Sequence, residues 1–88
     1  MELVFDIETD DLKATKIWCI SALDVDTEVQ LSFGPSQLQE GLQLLKDADK
    51  LIGHNIIGYD LPVLRKTYPW FKFSGTVLDT LILSRMYH

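Results

Sequence analysis

Basic residues are scarce in this 88-residue chain: eight Lys and Arg stand against 13 Asp and Glu, a formal net charge of −5. That balance argues against a free-standing electrostatic DNA-binding module, which is usually basic. An enzyme that binds nucleic acid remains compatible with it, because bound cations neutralise an acidic cleft. Cysteine is nearly absent. Cys19 stands alone, so no internal disulfide forms, and the composition suits a reducing cytoplasm. It lies in the apolar stretch Ile17-Trp18-Cys19-Ile20 and reads as a buried core thiol. No apolar run approaches the ~20 residues of a membrane span. Met1-Glu2 opens the chain without the basic region of a signal peptide. Repeats, linkers and low-complexity tracts are missing as well. What remains is a globular composition, 47% hydrophobic and 24% charged, of a length for one small domain over residues 1–88. A domain of this size buries only about 60% of its unfolded surface, so its stability is marginal.

The apolar pattern predicts a mixed α/β layer fold. Glu2 to Glu8 reads as a strand, apolar enough for a central strand covered on both faces. Lys16 to Val25 is a second interior strand, Asp24 to Thr27 a hairpin turn, and Thr27 to Phe33 a third, antiparallel strand. Gly34-Pro35-Ser36 ends it, and Ser36 with Gln39 forms a capping box for a helix whose apolar face is Leu38, Leu42 and Leu45. Leu51-Ile52-Gly53 is a short buried strand. Asp60 begins a second helix, with Pro62 in its first turn. Thr67 to Gly75 is an aromatic-rich loop, Val77-Leu78-Asp79 the end of another strand, and Thr80 to Tyr87 the start of a third helix.

Inside the first strand stand two carboxylates, Asp6 and Glu8, at a spacing that points both to one face. Side by side on an apolar strand they repel one another and lose hydration, which makes little sense as packing. A divalent cation between them resolves the conflict, since hard cations take carboxylate oxygens. Asp60 follows a strand that ends at Gly53, so it belongs at the carboxyl end of the sheet, where open α/β sheets bind ligands. Three carboxylates converging there would hold two divalent cations about 3.5–4 Å apart. One would present hydroxide and the other would stabilise the leaving oxygen, which is the chemistry of phosphodiester hydrolysis.

These residues carry a resemblance. Asp6-Ile7-Glu8-Thr9 resembles the first motif of the DEDD 3′–5′ proofreading exonucleases, whose fold is ribonuclease-H-like. His54-Asn55-Ile56-Ile57-Gly58-Tyr59-Asp60 resembles the second motif, and Asp79-Thr80-Leu81-Ile82-Leu83-Ser84-Arg85 the segment after it in family A DNA polymerases. Asp-x-Glu alone is common; the three motifs in this order and spacing are specific. The chain resembles, from Met1 to His88, the N-terminal exonuclease domain of the family A polymerases of T-seven-like podophages.

The resemblance implies a ribonuclease-H-like mixed sheet, antiparallel over three strands and then parallel, with flanking helices. It implies that Asp6 bridges two Mg²⁺ (or Mn²⁺) ions, that Glu8 binds the nucleophile-side ion and that Asp60 holds the second, partly through water. It places Thr9 and Leu12 against the terminal nucleotide and Asn55 beside the site. The substrate would be a single-stranded DNA 3′ end, the product a nucleoside monophosphate, and the setting the cytoplasm of an infected bacterial host. The family also needs a fourth carboxylate from a third motif. No Asp or Glu comes after Asp79 here, and His88 does not match that motif. The chain therefore reads as a C-terminally truncated part of the domain, inactive by itself. Its partners would be the rest of the polymerase, a complementary fragment, or a second copy pairing through exposed sheet or helix surfaces.

Plainer roles compete for several of these residues. Asp6 and Glu8 suit an edge strand facing water, and Asp60 and Asp79 suit helix N-caps. His54 suits a hydrogen-bonded structural histidine, and the aromatics Tyr68, Trp70, Phe71 and Phe73 suit a lid over the core more than a platform for bases. Arg65, Lys66 and Lys72 are too sparse for a phosphate track. Competing functions are a ribonuclease-H-like nuclease for RNA or junctions, a non-catalytic interaction module on the same fold, and an acidic mimic of DNA.

Overall fold

The computed structural model describes residues 1–10 and 16–81. Five strands form one mixed sheet: β1 (Glu2–Thr9), β2 (Ile17–Asp24), β3 (Gln30–Phe33), β4 (Lys50–Gly53) and β5 (Thr76–Asp79). Their order across the sheet is β3-β2-β1-β4-β5. The β1–β2 and β2–β3 pairs are antiparallel, and the β1–β4 and β4–β5 pairs parallel. This is the ribonuclease-H-like arrangement expected from the sequence. Two helices, α1 (Leu38–Asp47) and α2 (Leu61–Thr67), supply the second layer.

The core lies on one face of the sheet. Leu3, Phe5 and Ile7 of β1 are buried, as are Ile20 and Ala22 of β2 and Leu51 of β4. Leu42 and Leu45 of α1, one turn apart, close over them, joined by Leu61 and Leu64 of α2 and by Phe71. Phe71 is fully buried, with Tyr68 and Phe73 packed beside it, so these three cover the core as expected, whereas Trp70 is exposed and takes no part in the lid.

Alternation along β1 and β2 breaks the expectation of two interior strands covered on both faces, since Trp18 and Leu23 of β2 are exposed as well. Val4, Asp6 and Glu8 are exposed, and the row Leu23–Val4–Ile52–Leu78 runs across this second face. Apolar residues on both sides of a strand do not say whether a second layer exists to cover them. Cys19 is on the same open face, opposite Glu8, and is only half-buried. It is therefore not the core thiol the sequence suggested. Partial burial raises its pKa, helped by the neighbouring Glu8.

Three helix and strand boundaries differ from expectation. The Ser36–Gln39 capping box does not form; Pro35–Gln37 makes a 3₁₀ turn and α1 begins at Leu38 with no side-chain cap. The third strand begins at Gln30, because Asp24 Oδ1 accepts the Asp26 and Thr27 N–H groups and Glu28 takes a left-handed φ of 60°. Before α2, Ile56–Asp60 forms a π-helical turn, closed by the Leu61 N–H on the Ile56 carbonyl. Of the expected helix 80–87, only its first two residues fall among the described ones.

Gly53 ends β4 where that strand, β1 and the π turn meet. A Cβ there would overlap Ile56 Cγ2 and lie 3.0 Å from the Phe5 carbonyl oxygen. Ile56 is fully buried and Phe5 O is backbone, so neither yields easily. Gly53→Ala is expected to cost about 1–3 kcal/mol, read as a lower melting temperature with no change in far-UV circular dichroism. An unchanged melting temperature would show that the junction relaxes freely.

Candidate active site

The first motif is shaped by pleating. Asp6 and Glu8 share the open face of β1, and Ile7 between them faces the core. The second motif is shaped by the π turn. Asn55 opens it in the left-handed region, at φ 60° and ψ 31°, which Asn tolerates better than most residues. Gly58 fits because a Cβ there would press on Asn55 Oδ1 at 2.5 Å. The extra residue of a π turn rotates the next stretch of chain, and such turns recur at functional sites.

Asp60 is the last residue of that turn. It is helical (φ −60°, ψ −50°) and its side chain caps nothing in α2, so the N-cap role does not apply. Instead its Oδ2 accepts the backbone N–H of Ile7 at 3.2 Å. The second motif thereby touches the residue lying between the two carboxylates of the first. A second link joins the same motifs: the Thr9 and Tyr59 hydroxyls are 2.7 Å apart.

Asp60 is only 4% exposed. Burial pushes its pKa up to about 6, against the Ile7 N–H, which favours the ionised form; the negative charges of Asp6 and Asp79 push further upward. A carboxylate in this state is uncomfortable without a compensating positive charge. Perturbed carboxyls of this kind cluster at functional sites, although structural networks also produce them.

Asp79 is equally buried, and its role exceeds the helix cap that the sequence suggested. Its Oδ1 accepts the N–H of Leu81 at 2.9 Å, which is the cap, and also the N–H of Asn55 at 2.8 Å. Its Oδ2 accepts the N–H of Ile57 at 2.9 Å. One carboxylate thus fixes the start of the π turn to β5. Beside it, His54 Nδ1 lies 3.1 Å from Thr80 Oγ1, which donates to the Gly53 carbonyl. His54 is a structural, hydrogen-bonded histidine here. Local spacing signals the cap to Leu81, two residues on; nothing local signals a clamp onto residues 22 and 24 positions earlier.

Asp6, Glu8, Asp60, Thr9 and Asn55 all lie among the described residues, while Leu12 lies outside them. Three carboxylates are the donor set for a hard divalent cation. Their arrangement does not close on one: among the described residues, no three His, Cys, Asp or Glu side chains lie close enough together to hold an ion. Among the described residues, no helix is long and apolar enough to cross a membrane.

No protein-family model matches the chain, and no curated protein matches it. Solved structures do. One is a family B DNA polymerase from the hyperthermophilic archaeon Pyrobaculum calidifontis, with a TM-score of 0.61 over 77% of this chain at 21% identity. The likeness is one of fold. This α/β unit has the fold of a part of a DNA polymerase, and the chain spans 11% of that polymerase's length.

Proposed function

We propose that this chain is the N-terminal part of a 3′–5′ proofreading exonuclease domain, of the type in family A polymerases of T-seven-like phages. Asp6, Glu8 and Asp60 are three of its four site carboxylates, and its substrate is the 3′ end of single-stranded DNA in the cytoplasm of an infected bacterium. The observation that carries this reading is the bond from the Ile7 N–H to the buried Asp60 carboxylate. It joins the Asp-x-Glu strand to the Tyr-Asp turn across 53 residues of chain, and the Thr9–Tyr59 contact joins the same two segments. The Mg²⁺ or Mn²⁺ ions belong to the complete domain, where the remaining polymerase chain or a complementary fragment adds the fourth carboxylate.

The 88 residues alone are inactive on this reading. Incubated with 3′-labelled single-stranded DNA and Mg²⁺ or Mn²⁺, they are expected to leave the strand intact. Metal-dependent shortening that Asp6→Ala abolishes would refute that. Joined to the remainder of such a domain, the chain is expected to degrade DNA from the 3′ end. Asp6→Ala, Glu8→Ala or Asp60→Ala should each then cost about 10³-fold, the several kcal/mol that a charge-stabilising ligand set supplies. That no acidic triad converges among the described residues favours a second reading, a non-catalytic module on the same fold. Activity of the joined chain decides against it, and a preference for RNA would move the assignment to another ribonuclease-H-like nuclease.

A further inference from the structure

At the β5 edge of the sheet, α2 and the segment after it leave a pocket of about 280 Å³, lined by Leu61, Arg65, Phe71, Lys72, Phe73 and Val77. It is separate from the candidate active site. Leu3, Leu51 and Val77 stand in register across β1, β4 and β5, so Val77 shares the core face and not the face of Asp6 and Glu8. The inner surface is apolar: Leu61 and Phe71 are buried, and Phe73 and Val77 are half-buried. The two polar residues are both cations, and both are exposed.

That pairing is unusual in this chain. Its net charge is −5, yet the pocket carries two positive charges and no carboxylate. The ion pairs among the described residues, Met1–Asp49 and Lys50–Glu2, involve neither Arg65 nor Lys72. Arg65 lies in the last turn of α2, where a cation complements the helix dipole. Lys72 lies outside any helix, so that explanation does not reach it. Two like charges at one pocket repel each other until an anion sits between them. An Arg fork beside a Lys point charge suits phosphate or carboxylate. Size narrows the ligand further. Pockets for drug-sized ligands begin at about 300 Å³, so this one takes a single ring system and excludes anything much larger.

We propose that this pocket binds a small ligand made of one planar apolar ring bearing one anionic group. The ring lies against Phe73 and Val77, and the anion lies between Arg65 and Lys72. This site does not depend on the exonuclease reading, because it shares no residue with Asp6, Glu8 or Asp60.

The test is an amide-shift NMR titration of the ¹⁵N-labelled 88-residue chain with phenyl phosphate and, separately, with benzoate. At least one should give saturable shifts centred on Leu61, Phe71, Lys72, Phe73 and Val77, and the tighter of the two identifies the anion. Inorganic phosphate, lacking the ring, and benzyl alcohol, lacking the charge, should each bind about tenfold more weakly or worse. The double variant Arg65→Gln, Lys72→Gln leaves the apolar walls in place, and its unchanged spectrum elsewhere would show the fold intact. It should weaken phenyl phosphate or benzoate binding by about tenfold or more. Shifts that spread over Val4 and Leu23 on the open face, shifts that do not saturate, or equal binding by the double variant would overturn the proposal.

Discussion

Asp79→Ala is expected to unfold this protein at room temperature or to lower its melting temperature by roughly 20 °C. The alanine leaves the N–H groups of Asn55, Ile57 and Leu81 without their acceptor. Asp79 itself is 4% exposed, so water does not simply replace it. All three bonds are part-buried, so each donor left unsatisfied costs about 1 kcal/mol, the low end for such groups, and three together cost on the order of 3 kcal/mol. A chain of this length has a total stability of only about 4–13 kcal/mol, and each kcal/mol moves the midpoint by about 4–8 °C. Asp79→Asn should fall between. Its oxygen still serves Asn55 and Leu81, but its NH₂ group then faces the Ile57 N–H. Thermal unfolding monitored by circular dichroism checks both. A melting temperature of Asp79→Ala within about 5 °C of the parent would mean that the π turn holds its place without the clamp.

Asp79 also marks the limit of what the sequence discloses. Short-range chemistry was legible: the pleated spacing of Asp6 and Glu8, the Leu38/Leu42/Leu45 face of α1, the strand ending at Gly53, and the cap from Asp79 to Leu81. The strand directions come from the same cues, since a hairpin forces antiparallel neighbours and a helical crossover allows parallel ones. The features the sequence concealed depend on tertiary neighbours. Val4 and Leu23 are as apolar as Leu3 and Ile20, yet they line an open face because no described layer covers them. Ser36 and Gln39 have capping-box spacing, but Pro35 starts a 3₁₀ turn that moves the helix start beyond Ser36. For Asp60, sequence left N-cap and site carboxylate equally open. The π turn removes the cap by carrying the carboxyl past the helix end to Ile7.

That placement gives Asp60→Asn an effect opposite to the usual loss on altering a buried polar residue: it should stabilise the protein at neutral pH. The Asp60 pKa is raised from 3.8 to about 6 on folding, with burial as the largest cause. The folded chain therefore holds this proton more tightly than the unfolded chain does. The contribution of the neutral carboxyl to stability is complete below 3.8 and is lost as the pH rises through about 6. Each tenfold change in acidity is worth about 1.4 kcal/mol, so the ionised form costs the fold on the order of 3 kcal/mol at pH 7. Asparagine keeps an oxygen for the Ile7 N–H and never ionises. Urea unfolding should find Asp60→Asn close to the parent at pH 3.5 and more stable by about 2–3 kcal/mol at pH 7.5. Taking the difference between variant and parent at each pH removes the titration of the other 12 acidic residues. A variant less stable than its parent at pH 7.5 would show that Asp60 is a structural anion instead. The expected result has a functional consequence. A carboxyl that weakens the fold at neutral pH, when a one-atom change would strengthen it, fits a functional role for its charge. The Asp60 carboxylate meets the backbone N–H of Ile7, the residue between Asp6 and Glu8 in the chain, and supplies a charge that the proposed exonuclease would use.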